Sequence, residues 1–193
     1  MGIKKHLASI ESTSKYKVIL EFTQRMEPST ISENGLPFVS MRVEIDANSL
    51  SEDARELHKK YGRIPYGSPL YIWETHKNNN WQISYIGQTM EQNIQKRFEG
   101  HSSLVRLLAK HVNDPKSKVF YRLCNKFDLI YSHKKSTHTR SAIEHLPLDQ
   151  AKKVVNDIEA KLIYQYKPEY NKRFKNNEKK YWKKFNIENI KWR

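Results

Sequence analysis

Three features of the 193 residues predict an α+β or mixed α/β fold. Apolar residues alternate over several short stretches, as half-buried strands require. Other stretches carry apolar residues every three or four positions, two of them behind a capping-box signature, as helices require. The two kinds of stretch follow one another as ββα and then ββααβα, an order that lays helices against a small sheet.

Tyr16, Val18, Leu20 and Phe22 alternate, as do Val39, Met41, Val43 and Ile45. Both read as strands, joined by a long hairpin loop that holds Asn34-Gly35 and two prolines. Ser49 with Glu52 fits a capping box, and Leu50, Ala54, Leu57 and Tyr61 form a helical stripe that ends at Gly62. Residues 1–67 are therefore expected to be an N-terminal ββα arm and linker. The next unit opens with a short strand, Leu70–Trp73, then a THKNNN turn and a returning strand through Trp81, Ile83, Tyr85 and Ile86 that Gly87 ends. Thr89 with Gln92 signals a helix whose core side is Ile94 and Phe98. A second helix follows, with Leu104, Leu107, Leu108 and Val112 inward. Val119, Tyr121 and Leu123 alternate as a third strand that can continue to Ile130. After a polar loop, residues 147–166 read as a long helix with Ala151, Val154, Val155, Ile158 and Leu162 on its buried side.

Charge narrows the function. The net charge is +14, yet residues 1–62 hold nine basic and nine acidic residues. Residues 63–170 hold seventeen against ten, and 171–193 nine against two. Excess confined to one part of a chain points to a polyanion, with nucleic acid ahead of an acidic membrane because the tail has no clean amphipathic pattern. The single cysteine, Cys124, excludes an internal disulfide. No apolar run is long enough to span a membrane, and the opening MGIKKHLASIES has no apolar leader core, so the expected location is cytoplasmic. Cys124, His133, His138 and His145 have spacings too irregular for a zinc site, and no phosphate-binding glycine loop is present.

Several residues could carry chemistry. Arg97 and His101 are one helical turn apart and project from the same side. Taken alone, Arg97 reads as a solvated arginine and His101 as a charge at a helix end. Tyr71 and Tyr85 lie in adjacent predicted strands, where aromatic residues commonly pack across the pair. Glu159 flanks the apolar stripe of the last helix within a basic region, and Asn171 follows a Lys167-Pro168 stop.

In combination they say more. The order Tyr71, Tyr85-Ile86-Gly87, Arg97-x-x-x-His101, Glu159 and Pro168-x-x-Asn171 resembles the GIY-YIG nuclease family over residues 68–173. The first motif reads Pro69-Leu70-Tyr71-Ile72 and keeps only its tyrosine. Gln88 stands where a cation is common, and the connection through THKNNNWQ is longer than usual. The resemblance implies a small antiparallel three-stranded sheet flanked by helices, here as a catalytic domain over 68–173 between the arm and a basic aromatic tail at 174–193. It also implies that Glu159 holds one Mg²⁺ (or Mn²⁺) and that Tyr71 activates the attacking water. Arg97 would stabilise the transition state, Tyr85 and His101 would orient or deprotonate, and Asn171 would brace the site. The activity implied is hydrolysis of double-stranded DNA by a homodimeric type II restriction endonuclease. A phage-type, homing or repair nuclease and a catalytically silent nucleic-acid-binding module are the alternatives.

Overall fold

The computed structural model describes residues 16–33, 36–40, 69–90, 101–112, 114–132, 138–143, 146–176, 178–179 and 185–192. Within these, the chain forms strands β1 (Tyr16–Phe22), β2 (Ser29–Glu33), β3 (Leu36–Ser40), β4 (Leu70–Lys77) and β5 (Asn80–Gln88). Helix α1 (Ser102–Val112), β6 (Ser117–Ser132), β7 (His138–Ala142), helix α2 (Leu148–Tyr166) and β8 (Phe185–Trp192) follow. The fold is mixed α and β, as expected.

The sheet is larger than the expected three strands. It has six, in the order β5-β4-β6-β1-β8, with β7 also on β6. The length of β6, 16 residues, makes this possible. Its first half pairs antiparallel with β4 and its second half with β7, while β1 pairs antiparallel along its other edge. The strands of the expected three-stranded unit, β4, β5 and β6, are thus continuous with β1 from the N-terminal segment and β8 from the C-terminal one.

Three local expectations change. The segment after β1 is not a loop throughout, because β2 forms within it and pairs antiparallel with β3. The polar stretch after β6 contains β7. The basic aromatic tail ends in β8, which runs parallel to β1. A register shift between Val18 and Ile19 breaks the period-2 pattern of β8. Phe185, Ile187 and Ile190 can all reach the core despite uneven spacing. The expected helix at 50–61 and residues 91–98 of the next, and with them Arg97, lie outside the described residues, as do residues 41–45 of the second expected strand.

Alternation along β4 and β5 sends their side chains to two buried clusters. Tyr71, Trp73 and Tyr85 pack with Leu104, Leu107 and Leu108 of α1. Leu70, Ile72 and Ile86 pack with Val155, Ile158 and Leu162 of α2 and with Val18 and Leu20 of β1. Helix α2 ends at Lys167, whose left-handed conformation (φ 47°, ψ 49°) lets its N–H bond the Ile163 carbonyl. Pro168 then prevents continuation. Among the described residues no helix is long and apolar enough to cross a membrane.

Candidate functional site

The β4–β5 hairpin sets the register of the site. Tyr71 stands opposite Gly87, Ile72 opposite Ile86 and Trp73 opposite Tyr85. Tyr71 and Tyr85 are therefore diagonal neighbours on one face, with ring centroids 6.0 Å apart and planes 29° from parallel. Gly87 is what lets the phenol of Tyr71 lie flat over the strand. A Cβ at position 87 would stand 2.4 Å from both Cζ and Oη of Tyr71 and 2.8 Å from Cε1 of Tyr85. The glycine of the Tyr-Ile-Gly triplet is thus required by a close approach of side chain to backbone.

His101 immediately precedes α1, and its carbonyl accepts the first bonds of the helix, from Leu104 and Val105. This fixes the ring against Tyr85: Tyr85 Oη and His101 Nε2 are 3.0 Å apart, and the rings meet edge to face at 5.1 Å. Tyr71 is fully buried and Tyr85 nearly so, whereas His101 keeps partial exposure. The exposed part of His101 is not its ring nitrogens, since Nδ1 is buried and Nε2 meets Tyr85.

Asn171 closes the open edge of β5. Its Oδ1 accepts the N–H of Ile86 at 2.9 Å and its Nδ2 donates to the Ile86 carbonyl at 2.8 Å. One side chain thereby replaces a neighbouring strand at the middle residue of the triplet. Tyr170 N–H adds a bond to the Ser84 carbonyl at 3.0 Å. The segment after α2 leaves the Ile158 cluster and seats Tyr170 in the tyrosine cluster, wrapping the sheet edge as it does so.

Glu159 lies on α2 directly after Ile158, which is fully buried beside Ile72 and Ile86, and is itself half-buried. A carboxylate in this setting can still present an oxygen to a cation. No group of three or more metal-ligating side chains exists among the described residues. A single carboxylate suits Mg²⁺, which binds through one or two protein oxygens and retains water, and does not suit a cage-bound zinc.

The structure therefore brings Tyr71, Tyr85, His101 and Asn171 together around Gly87 and Ile86, and puts Glu159 one residue from the core contact of the same hairpin. Sequence reasoning did not anticipate the support behind Asn171. His111 of α1 bridges Tyr170 (Oη to Nε2 3.3 Å) and Ser117 (Nδ1 to Oγ 2.6 Å), and Glu169 pairs with Lys110 at 2.8 Å. Burial, reinforced by the positive charge of Lys110, holds His111 below its ordinary pKa. The only prior signal was the position of Tyr170 next to Asn171. Also unanticipated is a buried carboxylate, Glu74, shared by Arg25 Nε at 2.7 Å and Arg122 Nε at 3.0 Å. No protein family, no curated protein and no solved structure matches the chain.

Proposed function

We propose that the chain is a Mg²⁺-dependent DNA endonuclease of GIY-YIG type, acting on double-stranded DNA as a sequence-specific restriction enzyme. The observation that carries this reading is the packing of Tyr71 on Gly87 beside a Tyr85–His101 hydrogen bond. A cross-strand aromatic pair kept for stability alone does not need a glycine under one phenol and an imidazole bonded to the other. The net charge of +14 supplies the attraction to a polyanion.

In this reading Tyr71 activates the attacking water, and His101 with Tyr85, joined by their hydrogen bond, orients it or takes its proton. Arg97, four residues before His101 in the sequence, would neutralise charge on the phosphate in the transition state, a task for which the guanidinium fork is suited. Asn171 keeps Ile86, and so the two residues flanking it, from shifting. Glu159 would hold the metal, Mg²⁺ or Mn²⁺, which when bound supplies Lewis-acid stabilisation of charge at the phosphate. Two-fold symmetric DNA is cut on both strands most simply by a homodimer with one site per strand.

The test is Glu159→Gln, which retains shape and helix propensity but removes the charge. Plasmid cleavage in Mg²⁺ should fall by several orders of magnitude, and duplex binding in chelator should be kept or rise because a carboxylate facing phosphate has gone. Cleavage near the parental rate would refute the assignment of Glu159. A parental protein that binds duplex DNA and never cuts it would establish the silent module instead.

A further inference from the structure

The β4–β5 hairpin carries the tyrosines at one end, and at the other it ends in six consecutive exposed residues, Lys77-Asn78-Asn79-Asn80-Trp81-Gln82. Asn78 and Asn79 have φ of 51° and 61°. That is the left-handed pair of a type I′ turn, and it accounts for both asparagines. It does not account for Asn80 and Gln82. Both are strand residues, a setting that disfavours asparagine, and their side-chain amides make no hydrogen bond among the described residues. Their register partners are Lys77 and Thr75, which share a face of β4 with Tyr71 and Trp73. The two amides are therefore presented on the same face of the sheet as the tyrosines.

The opposite face of the tip is braced. Trp81 stacks against Arg25, whose guanidinium carbon is 3.5 Å from the ring centroid, and meets the rings of His76 at 4.5 Å and Phe120 at 5.1 Å. Arg25 is held by Glu74 and by the backbone of Thr23 and Met26, which bond Leu123 and Tyr121 of β6. A ribbon stiffened in this way can present side chains at fixed positions. The surroundings are cationic: among the described residues, exposed Lys77, Lys116 and Lys118 and partly exposed Arg25 stand beside Asp114, which pairs with Lys77, and Glu74, which Arg25 shares with the buried Arg122.

We propose that the hairpin tip is the base-reading element of this protein, entering the major groove of duplex DNA with Asn80 and Gln82 against base edges. The proposal rests on the DNA-directed reading above. The major groove, about 12 Å wide, admits a two-stranded ribbon, and planar amides are suited to the donor and acceptor pair of adenine. Seven residues at about 3.4 Å each separate Tyr71 from Asn78, so the tip stands roughly 20–25 Å from the catalytic tyrosine. At about 3.4 Å per base pair, that is a reach of six to seven pairs.

The experiment selects bound duplexes from a 30-base-pair random-sequence pool, in chelator, with the full chain and with Asn80→Ala/Gln82→Ala. A second variant, Asn80→Thr/Gln82→Thr, favours the strand, so its loss of discrimination cannot be ascribed to unfolding. The parental protein should enrich a defined sequence, and both variants should lose at least about tenfold of that enrichment. Their affinity for the unselected pool should change by less than about threefold. Equal enrichment of the same sequence by parent and variants would overturn the proposal, as would a parental protein that enriches none. Plasmid cleavage in Mg²⁺, measured in parallel, keeps the nuclease reading separate: a parent that cuts without selecting sequence loses only the base-reading element. A parent that selects sequence through Asn80 and Gln82 without cutting loses only the nuclease assignment.

Discussion

Gly87→Ala is the smallest change that should disable both the packing and the chemistry. The added Cβ would stand 2.4 Å from Cζ and Oη of Tyr71, where ordinary contact begins at 3.4 Å, so the phenol must retreat by the difference, 3.4 − 2.4 = 1.0 Å. Tyr71 is fully buried, within a cluster that includes Leu104, Leu107 and Leu108. A close-packed interior has no room for that movement without neighbours shifting too. Overpacking of this kind costs about 1–3 kcal/mol. For a chain of this size each kcal/mol lowers Tm by roughly 2–4 °C, so the expected fall is roughly 2–12 °C. A misplacement of about 1 Å at a reacting group lowers turnover by about a hundredfold. Thermal unfolding followed by circular dichroism and plasmid cleavage in Mg²⁺ measure the two effects on one preparation. Combining the change with Tyr71→Phe should not restore the Tm, because Cζ stands as close as the hydroxyl. Parental values of both Tm and cleavage in Gly87→Ala would refute the close approach. A lowered Tm with full cleavage would separate Tyr71 from the chemistry.

Asn171→Ala removes both bonds to the Ile86 backbone, and since Ile86 is fully buried, each group left unpaired should cost about 1–3 kcal/mol, read by urea unfolding. Burial keeps His111 below its ordinary value of about 6.5, so between the folded and unfolded pKa values the unfolded chain binds more protons. Stability should be fully present above about pH 6.5 and decline as pH falls below it, and His111→Gln should flatten that decline in denaturant titrations at pH 7.5, 6.5 and 5.5. Deleting residues 185–193 should unfold the protein rather than merely weaken DNA binding, because it removes β8 and the buried Phe185; circular dichroism decides. The exposed cations Lys172, Arg173 and Lys179, changed to Gln, test binding to phosphate without that damage, and the slope of log K against log salt should fall by about 0.9 for each phosphate no longer neutralised.

Local periodicity was enough to read most of the secondary structure around the site. The period-2 runs of β1 and β5, the short apolar run that opens β4, the Asn-rich turn, the Leu104, Leu107 and Leu108 stripe of α1 and the buried side of α2 are all short-range patterns. Turn chemistry and the proline stop fixed their ends. Tyr71, Tyr85 and Glu159 lie on such elements and His101 and Asn171 just outside α1 and α2, but their grouping as a site rests on the resemblance and not on periodicity.

How distant segments pair was not legible. Strand β8 escaped notice because its register shift destroys alternation, and its basic residues read as a solvated tail. The six-stranded sheet depends on β6 being long enough to serve two partners along one edge, which no local pattern records. The reason for Gly87 is likewise non-local. It has no left-handed backbone to explain it, only a phenol from the opposite strand that occupies the space of a Cβ. The same holds for Asn171, whose amide matches the one N–H and one C=O that the edge of β5 leaves open at Ile86. Periodicity predicts which face a residue takes. Which residue 85 positions away will meet it there follows from packing alone.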